Sequence, residues 1–257
     1  MEQLIAESSG KEGKGVLPVV HEPKLLTKRA PLDRMMILFN EGRAMKSAHD
    51  IGGEFFRWEF ATAILCACLG VNAFDQPDVQ AAKNRTSAIL SKFAIAGPRE
   101  EARHNVGNRH ACSLRDVVKD ELKILLKGSQ PGDYLAILAF LPDRPALRKK
   151  LEDLQKIIRD RYQVAVTLGI GPRYLHSTGQ LHKGGPGTGR FLVIAASHSK
   201  DLKIPGENFS FATLEAAQAS GDLEALRENG RVAAFLELKA PWAASLDRLL
   251  REVKTLL

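Results

Sequence analysis

From residue 114 onward, short apolar runs alternate with longer stretches of helical periodicity. Residues 134–141 and 191–196 are continuous apolar runs of strand length, and 164–168 and 232–238 are apolar but for Thr167 and Glu237. Around them, residues 114–126, 144–160, 212–227 and 242–257 carry apolar positions at helical spacing. Strands that are apolar throughout are those buried on both faces, and strands separated by helices are those of parallel sheets. The pattern therefore predicts an α/β fold: a three-layer α-β-α sandwich around a mainly parallel sheet. A glycine-rich loop is expected between the second and third of these strands.

The first part of the chain is less regular. Residues 1–30 mix Gly, Lys, Pro and Glu without sustained periodicity and read as an irregular entry segment. Residues 35–39 form a short apolar run of strand type. Residues 53–70 read as a long helix, nearly apolar in its second half and packed on most sides. A further helix is expected from Asp75, with Asp75 as N-cap and Pro77 in the first turn. Residues 95–113 are polar and irregular, as in a linker or a long active-site loop. Three segments follow: 1–30 irregular, 31–112 a first and incomplete α/β unit, and 113–257 a second α/β unit. An internal echo, Ile51-Gly-Gly-Glu-Phe-Phe against Ile204-Pro-Gly-Glu-Asn-Phe, has two readings: a duplicated strand–loop–helix unit or chance.

Composition narrows the class. The 257 residues are 44% hydrophobic, and 37 Lys+Arg against 30 Asp+Glu leave a net charge of +7. That excludes an intrinsically disordered chain. Three cysteines, at 66, 68 and 112, neither make a disulfide framework nor share metal-ligand spacing, which favours a reducing compartment. The longest apolar run, residues 61–71, is far short of the ~20 residues of a membrane span. A soluble, cytoplasmic protein is expected, with no membrane partner. Aromatic residues are only 6% and do not interleave with basic ones, so nucleic acid is not expected. A phosphorylated small molecule suits the charge.

Two segments carry candidate chemistry. The first is residues 169–189, GIGPRYLHSTGQLHKGGPGTG, between two strands. Glycines there let backbone N–H groups approach an anion, Arg173 and Lys183 neutralise charge, and Ser177 and Gln180 add hydrogen bonds. His176 and His182 are candidates for moving protons near neutral pH. The dinucleotide fingerprint does not match, since Tyr174 stands where a third glycine is needed, and Gly184-Gly185-Pro186 is followed by no Gly-Lys-Ser/Thr of a P-loop. No acidic residue or cysteine lies between the histidines, so no metal is expected. The second segment is residues 74–83, FDQPDVQAAK, where Gln76, Gln80 and Lys83 share one face of a helix.

Residues 52–86, ending in FDQPDVQAAKNRT, resemble the C-terminal region of glucose-6-phosphate isomerase, with Asp78 and Gln80 in place of the usual Gly and Glu. Together with RYLHSTGQLHKGGPGTG, both departures are similar to the bacterial proteins that fuse a transaldolase to this isomerase. The similarity spans roughly residues 49–94 and 114–239. The resemblance implies a sugar-isomerase-like fold and interconversion of glucose 6-phosphate and fructose 6-phosphate through an enediol. A glutamate base would move the proton, a histidine would help open the ring, and no metal or organic cofactor would be needed. Lys83 matches the family's catalytic lysine. Gln76, Gln80, Arg173, His176, Ser177, Gln180, His182 and Lys183 are the expected substrate-binding residues.

The family's glutamate base, its Ser/Thr-rich phosphate loop and its substrate arginine have no local match here, and the transaldolase half is absent. The chain is thus expected to be the C-terminal part of a longer enzyme, with very weak isomerase activity or none alone. Its expected partners are a hexose 6-phosphate and the missing N-terminal regions, and a homo-oligomer is a possible assembly. The competing class is a non-catalytic sugar-phosphate-binding module.

Overall fold

The computed structural model describes residues 1–20, 48–77, 84–91, 119–122, 124, 125, 128–130, 132–198 and 200–256. In chain order its elements are α1 (Glu2–Ser9), α2 (Ala48–Leu69), β1 (Tyr134–Phe140), α3 (Pro145–Tyr162), β2 (Ala165–Ile170), a 3-10 turn (Arg173–His176), α4 (Gly179–Gly184), β3 (Gly189–Ser197), α5 (Phe211–Glu228), β4 (Val232–Lys239) and α6 (Trp242–Leu256). Residues 84–91, 119–122 and 124–125 are also helical.

The four strands form one parallel sheet in the order β2-β1-β3-β4. Tyr134 of β1 stands level with Ala165 on one side and Gly189 on the other. Alternate side chains leave opposite faces of a strand, and both faces of β1 are fully covered. Leu135, Ile137 and Ala139 join one core with Leu151, Leu154, Leu246 and Leu249, from α3 and α6. Tyr134, Ala136, Leu138 and Phe140 join a second core with Tyr174, Leu223 and Leu226, from the β2–β3 crossover and α5. The molecule is therefore a three-layer α/β sandwich, and the continuous apolar runs follow from burial on two sides.

Local sequence explains the helices. In α3 the buried positions Leu147, Leu151, Leu154 and Ile158 form one stripe. Pro145 opens the helix and Gln163 closes it in the left-handed region, φ 56°. For α5, Ser210 accepts from the Thr213 amide at 3.2 Å and Asp201 from the Ala212 amide at 3.0 Å, satisfying two amides that the helix itself leaves free. Side chains also occupy both outer strands. Gln155 donates to the Val166 carbonyl on β2 at 2.5 Å, and the Phe235 amide on β4 donates to Glu121 at 3.3 Å.

Three expectations are corrected. Residues 2–9 are helical rather than irregular. This short helix has no strong apolar stripe. It holds its shape by docking, with Ala6 and Ser9 fully buried and Gly10 packed on Leu181. Helix α2 is not packed on most sides. It buries Glu54, Thr62 and Cys66, while Phe56 is 69% exposed and Phe60 61%. The internal echo is not a repeated unit, because residues 51–56 lie within α2 and residues 204–209 in turns. The expected strand at 35–39 and the polar stretch at 95–113 lie outside the described residues. Among the described residues, no helix is long and apolar enough to cross a membrane.

Candidate functional site

Open parallel sheets bind ligands beyond the carboxyl ends of their strands, where neighbouring connections leave on opposite faces. Here that point lies between β1, which leads to α3 on one face, and β3, which leads to α5 on the other. A cavity of about 310 Å³ opens there, lined by Leu141, Pro142 and Asp143 after β1, Gly171 and Arg173 after β2, and Glu215 of α5. A second cavity of about 590 Å³ shares Arg173 and Ile170 with it and runs along β2. Its walls include Arg148, Thr167, His176 and Ser177.

Asp143 organises the junction of the two cavities. Its carboxylate takes both donors of a fork from Arg148, at 2.9 and 2.8 Å, and a third from Arg173 at 3.1 Å. The Arg148 guanidinium holds the Asp143 carboxyl below the usual carboxylate range, with Arg173 adding to the effect. Arg173 is 73% exposed, and among the described residues its one hydrogen bond is to Asp143. A guanidinium has five N–H donors, so Arg173 retains donors for an anion. Each cavity is also lined by a residue that has a buried polar atom without a hydrogen-bond partner among the described residues: Thr167, at Oγ1, for the larger and Glu215, at Oε1, for the smaller. Thr167 is only 6% exposed, and leaving such a group unpaired is costly unless a ligand or water satisfies it.

Behind the smaller cavity, His198 Nε2 stands 3.2 Å from Glu215 Oε2. The His198 ring packs edge-on against Trp242, with centroids 5.2 Å apart. Burial raises the Glu215 pKa, and His198 opposes that shift.

The structure divides the residues expected from sequence into three groups. Arg173, His176 and Ser177 line the larger cavity. Gln180, His182 and Lys183 are buried and engaged within the protein. Gln180 donates to the Gly10 carbonyl at 3.0 Å, Tyr134 Oη and His182 Nδ1 are hydrogen-bonded at 3.0 Å, and Lys183 pairs with Asp222 at 2.5 Å. The Tyr174 hydroxyl donates to the same Asp222. Burial, with Lys183 and Arg231 nearby, pushes His182 down to about 3, so the ring stays neutral. Lys83 and Gln80 lie outside the described residues. Gln76 is exposed and donates to Glu7 at 3.3 Å. Asp75 takes Lys11 at 2.8 Å and Asn72 at 3.2 Å, and the first turn it was expected to cap lies largely outside the described residues.

The segment at 169–189 is thus a packed crossover rather than an open loop, and its glycines make room for protein. A Cβ on Gly171 would come within 2.6 Å of the Phe140 ring, and one on Gly185 within 2.4 Å of the Leu181 carbonyl oxygen. The N-terminal segment joins this crossover to the 74–83 motif. The Gly13 amide donates to the Gly184 carbonyl at 2.8 Å, while Lys11, 1% exposed, reaches Asp75 and the Asn72 carbonyl.

Lys11, Asp143, Arg148, His198 and Glu215 were not singled out from sequence. Asp143 and His198 carried a usable sign, since each is polar and stands just past a parallel strand. Glu215 and Arg148 carried none, because only the chain's path brings them to the cavities.

No family model matches the chain, and no curated protein sequence matches it. Among solved structures it is similar to the hypothetical protein TT0462 from Thermus thermophilus. The two share 16% identity over 65% of this chain and 44% of that one, with a TM-score of 0.46.

Proposed function

We propose that the chain is the C-terminal part of a cytoplasmic aldose–ketose isomerase of hexose 6-phosphates, and that its two joined cavities hold the sugar phosphate. The observation that carries this reading is the pair of guanidiniums, Arg148 and Arg173, ordered on Asp143 beside a cavity with an unpartnered Thr167 hydroxyl. Guanidiniums match phosphate oxygens with paired donors, and the hydroxyl supplies a further hydrogen bond. His176 and Ser177 line the same wall. The resemblance of residues 74–83 supplies the chemistry, with Lys83 as the residue that assists ring opening. The isomerisation base comes from regions preceding this chain, and neither metal nor organic cofactor takes part.

A second reading, a sugar-phosphate-binding module without catalysis, is favoured by the burial of His182 and Lys183. Both spend their polar atoms inside the protein. Calorimetric titration with fructose 6-phosphate tests the shared part, and Arg173→Ala is expected to weaken binding at least tenfold. A chain that binds neither fructose 6-phosphate nor inorganic phosphate sinks both readings. Joining the preceding isomerase region then separates them. Turnover that Lys83→Ala abolishes supports the isomerase, and binding without turnover supports the module.

A further inference from the structure

We propose that Glu215, positioned by His198, is the hydroxyl-recognising end of the ligand groove, so that the bound molecule spans from the Arg148–Arg173 pair to the smaller cavity. The inference rests on the sugar-phosphate reading and adds to it which residues distinguish a phosphorylated sugar from a bare phosphate.

The smaller cavity has a composition suited to a sugar carbon chain. Its floor is Leu141, Pro142 and Ile170, against which C–H groups pack, and its polar walls are the carboxyl groups of Asp143 and Glu215 and the guanidinium of Arg173. Carboxylates are strong acceptors for hydroxyl donors. At about 310 Å³ it lies at the lower end of the ~300–1,000 Å³ range of small-molecule sites.

Glu215 is set apart from Asp143 by its partners. Asp143 spends its oxygens on two arginines. Glu215 faces His198 with Oε2, while Oε1 is buried without a hydrogen-bond partner among the described residues. A buried carboxylate oxygen left unpaired carries a desolvation penalty that a ligand hydroxyl would remove. His198 Nε2 stands on the Oε2 side of the carboxylate, 3.2 Å away, and the His198 ring packs edge-on against Trp242. Burial holds the Glu215 pKa above its ordinary value, and His198 opposes that shift.

Arg173 belongs to both cavities, which places the anionic and hydroxylated ends of one ligand on either side of it. A phosphate without hydroxyls would use only the arginine end. The two ends are therefore separable by choice of ligand.

The test is titration of the full chain with fructose 6-phosphate and with inorganic phosphate, for the unaltered protein, Glu215→Gln, Glu215→Asp and Arg173→Ala. Glu215→Gln is expected to weaken fructose 6-phosphate about tenfold, the loss of one charge-assisted hydrogen bond, and to leave inorganic phosphate unchanged. Glu215→Asp keeps the charge and should recover part of the loss. Arg173→Ala should weaken both ligands. His198→Gln should act in the same direction as Glu215→Gln with a smaller effect, as befits a positioning residue. Unchanged sugar-phosphate affinity in folded Glu215→Gln and Glu215→Asp, or equal losses for both ligands, overturns the proposal while the sugar-phosphate reading stands. No binding of either ligand by the unaltered chain overturns both. Thermal midpoints matching the unaltered protein establish that each variant is folded.

Discussion

On one face of the sheet, α3 and α6 lay Leu151, Leu154, Ile158, Leu246 and Leu249 on aliphatic strand residues. On the other, the β2–β3 crossover brings His182, Lys183 and Tyr174 inward beside Asp222 of α5. The same four strands thus carry an aliphatic layer and a layer threaded with buried polar groups. On the first, stability accrues methylene by methylene and is non-directional. On the second it depends on each charge keeping its partner, because an ion pair taken out of water must recover a large desolvation penalty through geometry. The aliphatic face should therefore lose stability in proportion to what is removed. The polar face should fail as a unit.

The largest effect should come from breaking the polar unit. Asp222→Ala leaves the Lys183 ammonium, 2% exposed, without its counter-charge, and is expected to cost about 3–5 kcal/mol in denaturant unfolding. Lys183→Met with Asp222→Leu should recover most of that loss. A double variant as unstable as the single one would show that the penalty comes from packing rather than from an orphaned charge.

Next is Leu154→Ala on the aliphatic face. Leu154 is fully buried, and its truncation should cost about 2–5 kcal/mol with little change in pH dependence.

The pH dependence separates the faces further. His182 has its pKa lowered to about 3 when folded, against about 6.5 when unfolded. Below about 6.5 the unfolded chain takes up a proton that the folded one refuses, so stability falls as pH drops from about 6.5 towards 3. The slope from this group approaches about 1.4 kcal/mol per pH unit. His182→Phe should remove that slope in urea titrations across this range, and an unaltered slope would show that His182 is not its source. Smallest of the four, Ser210→Ala removes the α5 cap and should lower stability by about 1 kcal/mol, read as a shifted thermal midpoint.

The two faces also differ in how far they could be read from sequence. The aliphatic face is periodicity alone, and the strands at 134–140, 165–170, 189–197 and 232–239 fall within a few residues of the expected runs. The polar face depends on what a glycine-rich stretch is for, which composition leaves open. A glycine can let a ligand approach or let the chain pack on itself, and Gly171 and Gly185 do the second. Helix α1 was not legible because eight residues carry too little pattern, and its contacts reach far along the chain, Glu7 to Gln76 and the adjoining Gly10 to Gln180. The site was legible in part. Arg173, His176 and Ser177 stand in one segment that drew notice for its donors, while Asp143, His198 and Glu215 meet only through the β2-β1-β3 arrangement. Whether the groove they line takes a sugar phosphate is the question the titrations address.

The side chains on the two outer strands have a further consequence. A sheet with two bare rims is a template on which a stray strand, from the same chain or another, can add itself and propagate. Gln155 occupies a carbonyl on the β2 rim, and Glu121 occupies an amide on the β4 rim. Each acts as a stopper at the very groups an added strand would use first. Among the described residues the sheet has four strands, and on each outer strand one backbone group is already taken by a polar side chain borrowed from a neighbouring segment, which leaves it unable to pair with an added strand.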